Sequence, residues 1–549
     1  MILACFYTLR RNFCISGFVL LLTLSTCVFS YEAETLHAEF ETQLNRILAE
    51  GGLEVNETIA LRAFYDQRGY QPVWIISAGQ PAPHFNTAMA FMASAEDHGL
   101  ERGHYQLDQL VQLFAELTPE NQFILELRTT RSLLKFMRDL YRGRSDAREV
   151  DPDWHIPQPD FDAIQFLLKS LNSGDFQHSL ESLVSSNPNY QHLKHALAKF
   201  RDLVAHQVVW TQLPNGLLLR PGNSHAAVPL VRERIVQAYE THGLPEYNLV
   251  SEPDGGQNDY YDNALESAVR AFQRQHGLNA DGIIGPNTVE AMNRTPAEKL
   301  QQLRVNLERL RWMPRDLGKR YLLVNIAGFQ LTAIENGQYM FDMRIIVGRE
   351  YRSTPSFHSR ITHMILNPYW NVPASIARKD LLPKQQANPA YFTSQNIRVY
   401  EDYTFRTSPI DPETIDWNAV KAGFPYALRQ EPGRQNALGT IKFMLPNDYS
   451  IYLHDTPAKS LFNRDIRTFS SGCIRLEAPL QLADFALGGR VSPEELKAQI
   501  DSGKTRQINL PEPLPVYIVY LTTWIDSDQN IHYSLDTYGR DGRALDRAR

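Results

Sequence analysis

One cysteine of this 549-residue chain stands apart: Cys473, in the string Ser470-Ser471-Gly472-Cys473-Ile474-Arg475, whereas Cys5, Cys14 and Cys27 all fall within the first 30 residues. A thiol acts as a nucleophile through its thiolate, which takes a nearby base or cation to form. His454 is the nearest preceding histidine, with eighteen residues between the two. It ends the strand-like run Ser450-Ile451-Tyr452-Leu453-His454, where alternation puts Tyr452 and His454 on one face and Ile451 and Leu453 on the other. Gly472 allows close approach of a substrate to the backbone. Consecutive N–H groups at Gly472 and Cys473 suit a developing oxyanion. Together these residue types fit acyl transfer through a thioester. On spacing alone a bland reading stands level with it, since a cysteine and a histidine in one domain are often unrelated. No competing chemistry is visible: there is no His-Glu-x-x-His, no second cysteine for a zinc site, no Gly-x-Ser-x-Gly and no phosphate loop. His358 and His363 sit on another strand-like run and read as structural.

The elements that must position these residues begin near 321. The run from Arg320 to Gly348 is rich in residues favoured in sheets, and Asn336-Gly337 between two such stretches predicts a hairpin. Residues 321–549 are expected to form one domain, with strands to about 510 and a final hairpin from Pro515. A stretch of about 374–437, rich in Pro, Gln and Asn, is too long for an ordinary loop and reads as an insertion capping the site. A linker helix precedes it within 296–320. Residues 246–295 read as a compact helical module, with a capping box at Asn263-x-x-Glu266, apolar Leu265, Val269 and Phe272, a helix stop at Gly277 and a helix start at Gly285-Pro286. Residues 31–245 read as a helical scaffold; Leu133, Leu134, Met137, Leu140 and Tyr141 share a helical face, and the aromatic run from Phe64 to Ile75 reads as core.

The first 30 residues combine Arg10-Arg11, an apolar run from Phe13 to Leu24 and tolerated cleavage residues at Val28-Phe29-Ser30. This pattern predicts a secretory signal, cleaved or kept as an anchor. Removing it leaves one cysteine in an exported protein, either buried and inert or reactive. A net charge of −7 gives no reason to expect nucleic-acid binding.

The strings around Cys473 carry a resemblance. His454 followed by Ser471-Gly472-Cys473-Ile474-Arg475 resembles the signature of the L,D-transpeptidase (YkuD-type) family, which runs from a histidine to Ser/Thr-His-Gly-Cys-x-Arg/Asn. Ser471 stands where that pattern has histidine, and Asp455 where it has glycine. Both departures resemble the large periplasmic subgroup, as do Asn-Pro-Tyr-Trp-Asn-Val-Pro at 367–373 and Tyr-Leu-His-Asp-Thr-Pro at 452–457. The 246–295 module, with Asp281-Gly282 and Gly285-x-x-Thr288, similarly resembles the three-helix peptidoglycan-binding family. The implied fold is multidomain α+β: a helical scaffold, a three-helix peptidoglycan-binding domain, and a mostly-β catalytic domain with a capping insertion. The implied roles are Cys473 as nucleophile and His454 as base. Ser471 and Gly472 form the loop, and Tyr452 lies near the oxyanion. Trp370 and Asn371 lie in the substrate groove. Arg475 either orients the loop, binds a stem-peptide carboxylate or forms a structural ion pair. The implied reaction is 3→3 cross-linking of peptidoglycan stem peptides in the periplasm, from a tetrapeptide donor to a meso-diaminopimelate acceptor. The helical module would hold glycan strands, and no metal or nucleotide cofactor is called for. A cysteine hydrolase and a non-catalytic wall-binding protein are the alternatives.

Overall fold

A computed structural model of the chain describes residues 35–49, 54–76, 80–119, 121–242, 259–420 and 423–548. The expected signal segment, with its three cysteines, lies outside them, as does the start of the small module. Among the described residues, no helix is long and apolar enough to cross a membrane. Contacts divide the chain into Met1–Arg144 with Pro159–Ser186, and Ser145–Gln158 with Asn187–Arg549.

The first unit is helical around α1 (Gln122–Arg142). Phe64, Tyr65 and Trp74 of the aromatic run are fully buried in it. A buried carboxylate at Glu126 is tolerated because it is fully hydrogen-bonded. It accepts the N–H groups of Val73, Trp74 and Ile75 at 2.6, 2.9 and 3.2 Å and the Tyr65 hydroxyl at 2.8 Å.

In the second unit, α2 (Pro188–Ala205) packs on the linker helix. The small module shares one core between α3 (Val228–His242), α4 (Asn263–Gln275) and α5 (Pro286–Asn293), with Val231, Ile235, Leu265, Val269 and Phe272 buried. The expected capping box at Asn263-x-x-Glu266 does not form. Asp262 caps α4 by accepting the Leu265 N–H at 2.8 Å, and Glu266 instead pairs with Arg270. Gly277 has φ +67° just past the helix end, and Pro286 opens α5. The linker helix α6 (Pro296–Trp312) begins with a capping box between Thr295 and Glu298.

The remaining chain builds a closed sheet. Its strands are β1 (Arg320–Asn325), β2 (Gln330–Glu335), β3 (Gln338–Gly348), β4 (Phe357–Leu366), β8 (Ile441–Met444), β9 (Leu453–His454), β10 (Thr468–Ser470), β11 (Ile474–Leu476) and β12 (Arg506–Val519), in the order β10-β3-β11-β9-β8-β4-β12-β1-β2. A further β2–β3 pairing closes it. The β2–β3 turn has φ +52° at Asn336 and +77° at Gly337, the left-handed pair that a type I′ hairpin needs. Two helices, α7 (Pro479–Leu487) and α8 (Pro493–Asp501), interrupt the strands expected to 510 and bury Leu482, Ala486 and Leu496 against the sheet. The expected tail hairpin is also split. Val516–Val519 belong to β12, pairing in parallel with β1, because this apolar run is buried in the sheet. The hairpin proper is Thr523–Ile525 with Ile531–Tyr533, and a last helix, α9 (Arg540–Ala548), follows.

The insertion has its own small sheet, with β7 (Ala427–Gln430) between β5 (Trp370–Val372) and β6 (Ile397–Tyr400). Its own core includes Val372, Phe392, Trp417 and Leu428.

Candidate active site

β9 and β11 run in parallel, pairing Leu453 with Ile474 and His454 with Arg475. That register sets Cys473, one residue before β11, opposite Tyr452, and the Ile474 N–H donates to the Tyr452 carbonyl at 3.1 Å. Ile451 and Leu453 go into the core, as alternation requires. Tyr452 and His454 face the other way, their ring centroids 5.6 Å apart. They open with Cys473 onto a pocket of about 850 Å³ that also takes in Trp370, Asn371, Ser471 and Arg475.

His454 is buried, and its Nδ1 lies 2.5 Å from the Asp455 carbonyl oxygen. A carbonyl only accepts, so Nδ1 carries the proton and Nε2 keeps its lone pair. Burial, with Arg475 as the next cause, pushes the imidazole down to about 3, so it is neutral near pH 7. Burial pushes the Cys473 thiol up; hydrogen bonds from Tyr452 and the charges of Lys442 and Arg475 act in the opposite direction. The resting pair is therefore a neutral thiol beside a neutral imidazole. The Cys473 Sγ is directed at the Ser450 carbonyl, 3.7 Å away. Burial pushes the Tyr452 hydroxyl well above its ordinary value, and Tyr452 lines the pocket together with Cys473 and Trp370.

The loop before Cys473 is held from β3 and the turn that follows it. Gly472 has φ +116°, a conformation that disfavours any side chain. Its carbonyl accepts the Thr354 hydroxyl at 2.7 Å, and the Arg349 N–H donates to the Ser470 carbonyl at 3.1 Å. Its N–H donates to Ser470 Oγ at 3.1 Å, so the expected pair of loop N–H groups is not free. The Cys473 N–H and the Tyr452 hydroxyl remain as donors beside the sulfur. Ser471 Oγ bonds to Arg352 Nη1 at 2.8 Å. Asn371 is committed to Arg429, whose Nε donates to its side-chain oxygen at 2.9 Å. Among the described residues Arg475 has no ion-pair partner, and its Nε is buried without a hydrogen bond. Asp455 fills the space beside Gly439, accepts from Thr440 N and Oγ1 at 2.9 Å each and pairs with Lys459 at 2.7 Å. Among the described residues, no group of three or more His, Cys, Asp or Glu is arranged to hold a metal.

Residues 319–508 match the family model described as "L,D-transpeptidase catalytic domain". This stretch of the chain is similar to L,D-transpeptidase catalytic domains. Residues 246–292 match a "Putative peptidoglycan binding domain" and residues 59–197 a "Scaffold domain". A curated relative, "Putative L,D-transpeptidase" of Haemophilus influenzae, is 38% identical over 242 residues, 44% of this chain and 48% of the relative. The chain thus matches about half the length of that relative. Among solved structures, an L,D-transpeptidase of Xylanimonas cellulosilytica is 13% identical, with TM-score 0.18, over 56% of this chain and 98% of its own. One of Stackebrandtia nassauensis is 12% identical, with TM-score 0.22, over 56% and 97%. At such scores neither likeness bears on the fold.

Sequence reading of this domain missed Thr354, Arg352 and Lys442. The one local signal for the first two is the string Gly348-Arg349-Glu350-Tyr351-Arg352-Ser353-Thr354-Pro355, polar and turn-forming directly after a long apolar strand. Lys442 carries no local signal, since an exposed strand lysine looks the same.

Proposed function

We propose that this chain is a peptidoglycan L,D-transpeptidase that forms 3→3 cross-links through a thioester on Cys473. The observation that carries the reading is the parallel β9–β11 register, which puts a thiol and an imidazole with a free Nε2 in one capped pocket. The pocket's charge fits the substrate class. Arg349, Arg352, Lys379, Lys384, Lys442 and Arg475 line it against one carboxylate, Asp380, which is already paired with Arg352 at 2.6 Å. A stem tetrapeptide carries several carboxylates and complements such a lining. The peptidoglycan-binding module would bring glycan strands to the same chain, and the N-terminal pattern would deliver it to the periplasm.

In the first step Cys473 Sγ attacks the carbonyl at the L-centre of the donor's third residue. The thiol proton passes to His454 Nε2, and the oxyanion is held by the Cys473 N–H and the Tyr452 hydroxyl. The C–N bond breaks, the departing D-Ala nitrogen takes the proton from Nε2, and a thioester remains. In the second step the side-chain amine of another stem attacks the thioester carbon. A C–N bond forms, the C–S bond breaks, and the amine proton returns through His454 to the sulfur.

The test is to incubate the mature protein with purified disaccharide-tetrapeptide and resolve products by mass. The expected product is a dimer lighter than two donors by one D-Ala, absent with Cys473→Ala. Shortening the insertion should shift product from dimer to tripeptide by admitting water. Tripeptide alone from the intact protein would favour the hydrolase. No turnover with sacculus binding retained would favour a binding protein.

A further inference from the structure

Lys442 is an amine without an evident role in the reaction just described. It lies on β8, where it pairs in register with His454 of β9 on one side and Ile365 of β4 on the other. Its side chain is half-buried and lines the pocket with Cys473. Its Nζ sits 3.9 Å from the centroid of the Tyr452 ring, which lines the same pocket as Cys473. Burying an ammonium is unfavourable unless an anion or a strong acceptor meets it. Here, among the described residues, no carboxylate does. Asp455 is held by Lys459 and Thr440, Asp380 by Arg352, and Glu477 by Arg344. The other titratable and charged groups lining the pocket with Lys442 are His454 and Tyr452 from β9, Tyr449 just before it, Cys473 and Arg475 from β11 and its loop, Arg349 and Arg352 from the turn after β3, Tyr369 just before β5, and Lys379 and Lys384 from the insertion. Of these, only the Cys473 sulfur becomes an anion early in the reaction. Lys442 and the thiolate attract one another across the pocket, and the face of Tyr452 adds cation–π support to the ammonium.

We propose that Lys442 is the counter-charge of the Cys473 sulfur, stabilising the negative charge that appears there when the thiol proton moves to His454 and before the C–S bond forms. The imidazolium formed by that transfer lies in a buried site and is short-lived, so a fixed cation is needed while charge is on sulfur. Lys442 thus acts as a positioning residue through charge, and takes no proton in the step. The proposal rests on Cys473 being the nucleophile of the reading above.

The test uses the full-length protein and two alkylating probes, iodoacetamide and iodoacetate. Each forms an S–C bond and releases iodide, but only iodoacetate is anionic, so their rate ratio reports the potential at the sulfur. Lys442→Met should lower the iodoacetate:iodoacetamide ratio by about tenfold, the size of a charge interaction of about 1.4 kcal/mol. It should also move the pH at which alkylation is half-maximal upward. Lys442→Arg should restore both. In the wild type the ratio should fall in the alkaline range as the lysine loses its proton. In Lys442→Arg it should stay level, since a guanidinium keeps its charge. A ratio and midpoint unchanged in a folded Lys442→Met, or an alkaline fall of equal size in wild type and Lys442→Arg, would overturn the proposal. Because the probes report on the thiol itself, a protein that shows the expected ratios yet leaves tetrapeptide unchanged would count against the transpeptidase reading and leave this one standing.

Discussion

At the scale of the residue, the site depends on how His454 is protonated. Its hydrogen bond to the Asp455 carbonyl sets the tautomer, and its burial keeps the ring neutral. The folded-state value of about 3 lies below the ordinary 6.5. In the unfolded chain the ring takes up a proton as pH falls through 6.5, while in the folded protein it resists until about 3. The unfolded state therefore binds more protons in that window, and folding stability falls with pH by up to about 1.4 kcal/mol per unit. His454→Asn should flatten that dependence. Urea unfolding at pH 7, 5.5 and 4 would check it; identical slopes for the two proteins would contradict the assignment.

At the scale of the element, the Ser471-Gly472-Cys473 loop and the insertion are both held by the Arg352 side chain. Arg352 donates from Nη1 to Ser471 Oγ at 2.8 Å and to Asp380 Oδ2 at 2.6 Å. The insertion has a separate apolar core, so its folding does not depend on this link. The link instead orients the insertion over the Ser471-Gly472-Cys473 loop. Arg352→Ala should therefore leave stability nearly unchanged, within about 1 kcal/mol, because a partly exposed pair contributes little. Dimer formation from tetrapeptide should drop by on the order of tenfold, as small misplacement of reacting groups slows chemistry sharply. Thermal unfolding and steady-state rates measured side by side would separate the two effects. Unchanged dimer formation would remove this role.

At the scale of the whole molecule, the C-terminal helix reaches the loop through buried charge. Arg540 is fully buried and bonds to Asp151 Oδ2 at 3.4 Å, Asp153 Oδ2 at 2.8 Å, Ser356 Oγ at 3.2 Å and the Thr354 carbonyl at 3.1 Å. Thr354 in turn holds the Gly472 carbonyl. The segment 145–158, the last helix and the loop at Gly472 thus form one polar network. Removing one partner leaves buried charge uncompensated, so Arg540→Met should destabilise the second unit by about 3–5 kcal/mol. Denaturant unfolding measures this directly. A loss under about 1 kcal/mol would mean the network relaxes without it. The small module joins the same unit through Asp465, which accepts from the Asn279 N–H at 2.7 Å and the Asn287 amide at 2.9 Å.

Short-range stereochemistry and periodicity made several features legible from the residues alone. Asn336-Gly337 specifies its turn because those two residues tolerate positive φ, Pro286 opens a helix because it lacks an N–H that a first turn does not use, and alternation alone puts Tyr452 and His454 on one face. The Ser-Gly-Cys string likewise pointed to the pocket, because its chemistry is contained in neighbouring residues. Only the tertiary structure decided which strands lie side by side. The parallel register of β9 and β11 brings Cys473 to Tyr452, the β8–β9 pairing brings Lys442 to the same ring, and the turn after β3 brings Arg352 and Thr354 to a loop more than 100 residues away. It also decided that the Gly472 N–H is spent on Ser470 and that Val228–His242 joins the small module's core. These outcomes depend on strand order and register, which are set by burial of the whole sheet rather than by any local run of residues.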